Sequence, residues 1–153
     1  MKSLIRFAGA PRKNFPDRKA LRICLTETAR KWGFEKFSLQ YVFVNDSELL
    51  EINREFLGHE DFTDIITFNL ADQKNEMEGE IYISKDRVLE NANTLGLPQE
   101  QEFCRVIAHG LLHLCGLNDK TKIEKAGMQQ AENQFILDFS KLLSTDRMVQ
   151  EAS

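Results

Sequence analysis

Apolar and polar positions along this chain follow two rhythms, one of period two and one near 3.6 residues. Phe37, Leu39, Tyr41 and Phe43 alternate with Ser38, Gln40 and Val42, which predicts a strand. Residues 2–8 and the run Glu80-Ile81-Tyr82-Ile83 predict two more. The compact β-branched run Ile65-Ile66-Thr67-Phe68 predicts a fourth, read as a central strand. Helical spacing sets in from about Asp17 to Trp32, where Leu21, Leu25, Ala29 and Trp32 form an apolar stripe and Gly33 is the stop. Asn45-Asp46-Ser47 starts a short helix carrying Leu49, Leu50 and Ile52, with Asn45 or Asp46 as its cap. Ser84 caps a helix through about Leu95, residues 98–115 form the next, and Thr121 to Leu143 the last. Val106 to Leu114 is apolar nearly all round, the signature of a helix buried on most sides. Residues 72–78 read as a polar loop, and the polar tail 144–153 as frayed. Together these elements predict an α/β (α+β) fold: one domain, residues 1–143, built as a sandwich of about five helices on a roughly four-stranded mixed sheet.

Length and composition narrow this picture without changing it. The 153 residues suffice for one domain with a real core. No apolar run approaches the roughly 18 residues of a membrane span, and the first residues lack the long apolar stretch of a signal peptide. Cys24, Cys104 and Cys115 follow no disulfide or metal spacing, and free thiols point to a reducing, cytoplasmic setting. The net charge of −4 is distributed unevenly. Residues 1–40 carry ten Lys or Arg against three acids, a net of +7, and the remainder carries ten against twenty-one, a net of −11. A basic N-terminal region of this kind is either a surface for a polyanion or a solvated helix face.

The buried helix carries the chemistry. His109 and His113 lie four residues apart, a rotation of about 400°, so both imidazoles project from one face. Gly116 can end the helix in the left-handed conformation and turn the chain, which lets Asp119 complete a His/His/Asp metal site. The spacing is that of zincin helices with an extended third ligand, where the residue after the first histidine is a catalytic glutamate. Here that residue is Gly110, and loss of such a base lowers hydrolysis by roughly 10²–10⁴-fold. Three protein ligands leave a coordination position open, which suits catalysis better than a purely structural ion. With an aspartate in the set the ion is less certain than zinc alone, another divalent metal being the alternative, and His109 and His113 would act catalytically through that one ion. The competing reading is two core histidines and a surface aspartate.

Around this motif, Cys104 and Cys115 point about 140° and 200° away from the nearer histidine and read as core fillers. Glu102 lies about 10 Å before His109 along the same face, either behind the ligands or, as taken here, facing solvent. Arg105 either contacts a phosphate or pairs with Glu102.

The string His109-Gly110-Leu111-Leu112-His113-Leu114-Cys115-Gly116-Leu117-Asn118-Asp119 resembles the signature His-Gly-x-Leu-His-Leu-x-Gly-Tyr-Asp-His of the YbeY family, the bacterial rRNA maturation factors. Ile52-Asn53-Arg54-Glu55-Phe56, Thr63-Asp64-Ile65-Ile66-Thr67-Phe68 and Gly79-Glu80-Ile81-Tyr82-Ile83-Ser84 resemble further elements of that family, in order. The resemblance implies a single-domain, zinc-dependent endoribonuclease specific for single strands. It implies work on 16S rRNA 3′ ends and in ribosome quality control, with ribosomal RNA and the small subunit as partners and neither DNA nor membrane. Two positions depart from the family pattern. Asp119 stands where the third ligand is usually histidine, and Leu57 where an arginine usually follows the aromatic residue. His59 is a candidate phosphate contact in place of that arginine, as is Arg105.

The leading expectation is therefore a metal-dependent endoribonuclease, with either an activated water or the neighbouring 2′-OH as nucleophile. The alternatives are a non-catalytic, metal-stabilised ribosome-assembly factor and a metallohydrolase of peptides or amides.

Overall fold

The computed structural model describes residues 3–152, with side chains as far as Thr145. Strands β1 (Leu4–Ala8), β2 (Phe37–Val44), β3 (Ile65–Asn69) and β4 (Met77–Ser84) form one mixed sheet in the order β1-β2-β4-β3. β1, β2 and β4 run parallel, and β3 is antiparallel to β4. The helices are α1 (Arg18–Lys31), α2 (Asp46–Ile52), α3 (Lys85–Leu95), α4 (Gln99–Leu114) and α5 (Lys122–Ala152). This is the four-stranded α+β architecture that the sequence predicts.

Alternation along β2 buries Phe37, Leu39, Tyr41 and Phe43 on one face, and β4 adds Met77, Ile81 and Ile83. Against this face lie Leu21 and Leu25 of α1 and Phe103, Ile107 and Leu111 of α4. The buried Tyr41 hydroxyl donates to the Ile107 carbonyl at 2.9 Å, so even the phenol of this core residue is satisfied and ties α4 to the sheet. Contact is closest at two glycines. A Cβ on Gly110 would stand 2.8 Å from Ile81 Cγ2 and 3.2 Å from Ile65 Cδ1, and one on Gly79 would collide with Leu114. Gly110 therefore lets α4 lie tight against the sheet, with both histidines turned toward its β3 side.

Several expectations need correction. β3 is an edge strand, not a central one: it pairs only with β4, and its apolar character serves α4 on one face and Phe56 and Tyr82, which flank Phe68, on the other. β4 begins at Met77 rather than Glu80, because Met77 pairs with Phe37 and is buried, which carries the strand into the segment read as loop. α2 continues as a single π-helical turn, Asn53–Leu57, that ends at Gly58 with φ +66°. Asn45, not Asp46, caps α2, in a reciprocal capping box with Glu48. α5 continues past Leu143 to Ala152. The expected strand start at Lys2 and the last tail residue, Ser153, lie outside the described residues. Among the described residues, no helix is long and apolar enough to cross a membrane.

Candidate metal centre

The C-terminal end of α4 is closed by hydrogen bonds that also build the site. Leu117 N–H donates to the Leu112 carbonyl and Gly116 N–H to the His113 carbonyl, both at 3.0 Å, with Gly116 at φ +105°. This paired pattern satisfies helix-end carbonyls and reverses the chain. The reversal places Asp119 Oδ2 at 3.3 Å from His109 Nε2 and 3.5 Å from His113 Nε2. The two rings stand 4.5 Å apart, nearly perpendicular. The three donor atoms lie within 4.8 Å of one another, as the sequence spacing predicts.

The other ring nitrogens fix which atoms are available. His113 Nδ1 donates to the Leu117 carbonyl at 3.0 Å, in the same reversing turn. His109 Nδ1 donates to Glu132 Oε2 at 2.6 Å. With both Nδ1 atoms serving as donors, each neutral imidazole presents an Nε2 lone pair toward a carboxylate oxygen. Three lone pairs facing one point repel unless a proton or a metal cation lies between them. Ligand atoms at 2.0–2.1 Å from a tetrahedral ion stand about 3.4 Å apart, which the Asp119 separations match. The residues present therefore fit a divalent ion held by His109, His113 and Asp119.

Glu132 is the group that sequence reasoning missed. It is buried on α5 in the stripe Met128, Glu132, Phe135, Phe139. That spacing was the available signal, because an acid in an apolar stripe is buried only when it is paired. Its second oxygen meets Arg105 Nη1 at 3.4 Å, and Arg105 also reaches Asn133 Oδ1 at 3.2 Å. Glu102 is 4% exposed rather than solvent-facing, with the Arg105 side chain against it. Arg105 Nε stands 3.4 Å from Glu102 Oε1, an ion pair without hydrogen-bond geometry, so that oxygen has no hydrogen-bond partner among the described residues. Burial lifts the Glu102 carboxyl above its ordinary value, against the pull of Arg105. Burial lowers the His109 pKa, but the hydrogen bond and charge of Glu132, with Asp119 and Asp64, outweigh it and hold the ring above its ordinary value.

The triad opens into a cleft of about 840 Å³ between the free edge of β3 and the segment 53–64. His59 and Lys120 line it, and so does Leu57, at the position where the family pattern has arginine. Arg105 lies outside this cleft, on the far side of His109, engaged with Glu102 and Glu132. Burial raises the thiols of Cys24 and Cys115 to about 11 and 12 and that of Cys104 higher still, so all three stay protonated.

The family described as Endoribonuclease YbeY matches residues 12–140 of this chain. A protein of that name from Cytophaga hutchinsonii is 44% identical over 116 residues, covering 76% of this chain and 81% of its own. One from Bacteroides thetaiotaomicron is 40% identical, covering 72% and 80%. A solution structure of a Thermotoga maritima protein matches with a TM-score of 0.63 over 95% of this chain and 93% of that one, at 23% identity, a likeness of fold.

Proposed function

Because the chain belongs to the YbeY family, we propose that residues 1–143 form a metal-dependent endoribonuclease that cuts single-stranded RNA. Its place is in ribosomal RNA maturation, including 16S rRNA 3′ ends, and in ribosome quality control. One observation carries this reading: His109, His113 and Asp119 converge, with both Nε2 lone pairs free, at an open cleft. A divalent ion, zinc by the chemistry of the donor set, would supply Lewis acidity at a phosphoryl oxygen and acidify a bound water. The chain's own residues do the rest. Glu132 and the Leu117 carbonyl hold the two imidazoles in the ligating tautomer. Lys120 supplies positive charge and His59 an imidazole for hydrogen bonding toward phosphate, both on the cleft wall, where Leu57 supplies neither. A cytoplasmic location and the small ribosomal subunit as partner accord with that role.

Peptide hydrolysis is disfavoured on steric grounds. The position where a protease carries its base is Gly110, which faces Ile81 and Ile65, so a side chain there would collide with the sheet. The test is cleavage of a labelled single-stranded RNA by the metal-loaded protein. Cleavage is expected to disappear with chelator and with His113→Ala, while the fold, followed by circular dichroism, persists. Equal cleavage by His113→Ala would refute the catalytic role. Loss of the fold on metal removal would move the ion's role to structure.

A further inference from the structure

The cleft has an apolar wall that the metal triad does not use. Phe62 and Leu57 both line it, and they are 52% and 46% exposed. The Phe62 ring is nonetheless held in place. The Arg87 guanidinium carbon stands 4.9 Å from its centroid. Arg87 is itself clamped, with Nε at 3.1 Å from Asp46 Oδ1 and Nη2 at 3.3 Å from Asp46 Oδ2. With one face of the ring covered by a fixed cation, the exposed part is the other face and the rim. An oriented aromatic face beside a metal site suits a flat π-system.

The neighbouring charges indicate which one. Asp61 precedes Phe62 in the chain and lines the same cleft. Its carboxylate would repel phosphate from this wall and accept hydrogen bonds from base amino groups. Lys120, beside Asp119, attracts phosphate toward the triad. A strand lying in the cleft is thereby oriented, bases toward Phe62 and backbone toward the triad.

We propose that Phe62 is a base-stacking platform that takes an unpaired nucleobase beside the phosphodiester held at His109, His113 and Asp119, and thereby selects single strands. The proposal rests on the endoribonuclease reading. A base in a duplex has both faces covered by its neighbours and cannot stack on Phe62 without leaving the helix. Every base has a π-face, so the selection is for strandedness more than for sequence.

Cleavage of a single-stranded RNA at varied concentration tests this with wild type, Phe62→Ala and Phe62→Trp. Stacking contributes enough that Phe62→Ala should raise KM by about 5- to 150-fold, with the loss falling on KM rather than kcat. Phe62→Trp should retain wild-type KM. An RNA with one abasic nucleotide next to the cut should make wild type resemble Phe62→Ala. Metal titration and thermal melting of Phe62→Ala establish that its site and fold are intact. An unchanged KM for Phe62→Ala, as expected if the ring docks another protein instead, overturns the proposal and leaves the endoribonuclease reading standing. A metal-loaded wild type that cuts no RNA overturns both.

Discussion

At the residue scale, the metal site extends beyond the three atoms that would touch an ion. Glu132 fixes the tautomer of His109 from a different helix, and a partner of this kind typically contributes 10–100-fold to metal affinity. Glu132→Gln keeps an oxygen acceptor but loses the charge, so metal affinity measured against a competing chelator should fall by about 10–100-fold. Unchanged affinity would show that the ligands alone set binding. The same contact predicts a pH dependence. Burial lowers the His109 pKa, but Glu132, Asp119 and Asp64 outweigh it, so the folded value lies above 6.5. In the metal-free protein, protonated His109 therefore contributes stability that is fully present below about pH 6.5 and is lost as pH rises through the raised folded value. Thermal midpoints of metal-free protein should show this loss on the alkaline side of 6.5, and Glu132→Gln should reduce it. The His109, His113 and Asp119 positions were legible in the sequence because they lie within eleven residues, where helix geometry and one glycine turn determine the arrangement. Glu132 was not, because its role exists only once α5 has docked on α4, and neither was the burial of Glu102, although its pair with Arg105 lies within α4 itself.

At the element scale, the end of α4 is the device that brings the three candidate ligands together. Gly116 sits at φ +105°, where an L side chain is strained, and no neighbouring atom crowds its Cβ position. Gly116→Ala thus tests backbone conformation alone. It should cost about 1–3 kcal/mol in stability. Metal affinity should fall as well, because the same turn positions both Asp119 and the Leu117 carbonyl. A variant with lowered thermal midpoint and unaltered metal affinity would show that Asp119 is placed by other contacts. Elements with strong local signals matched their sequence reading: the start of α1 near Asp17, the Ser84 cap of α3 and the period-two run of β2. The misreadings have a common physical cause. β3 was read as central from its apolar run, yet an edge strand can be apolar when a helix covers one face and aromatic rings the other. Met77 looked like loop because its neighbours in sequence are polar, and only pairing with Phe37 reveals it as strand.

At the scale of the whole molecule, the charge asymmetry and the sheet order together constrain how RNA is held. Among the described residues, the basic side chains of 1–40 lie on β1, in the loop after it, on α1 and just before β2, while the cleft lies along β3. β1 and β3 are opposite edges of the sheet, three strand spacings or roughly 14 Å apart. Among the described residues, the basic region thus contributes none of the cleft lining, and part of it is already engaged. Arg22 donates to the Ile5 carbonyl, and Arg30 faces Glu35 at 3.9 Å. Lys13, in the loop between β1 and α1, and Lys19, in the first turn of α1, are exposed. If they grip phosphates, they do so only for RNA long enough to run from one sheet edge to the other. Each phosphate neutralised on a single strand contributes about −0.7 to the slope of log affinity against log salt. A Lys13→Gln/Lys19→Gln double variant should therefore flatten that slope by about 1.4 for a long single strand. For an oligonucleotide confined to the cleft the slope should stay as in wild type. An equal effect at both lengths would mean that the basic edge acts through the overall field of the protein. No effect at either would make residues 1–40 a solvated surface and leave RNA binding to the cleft alone.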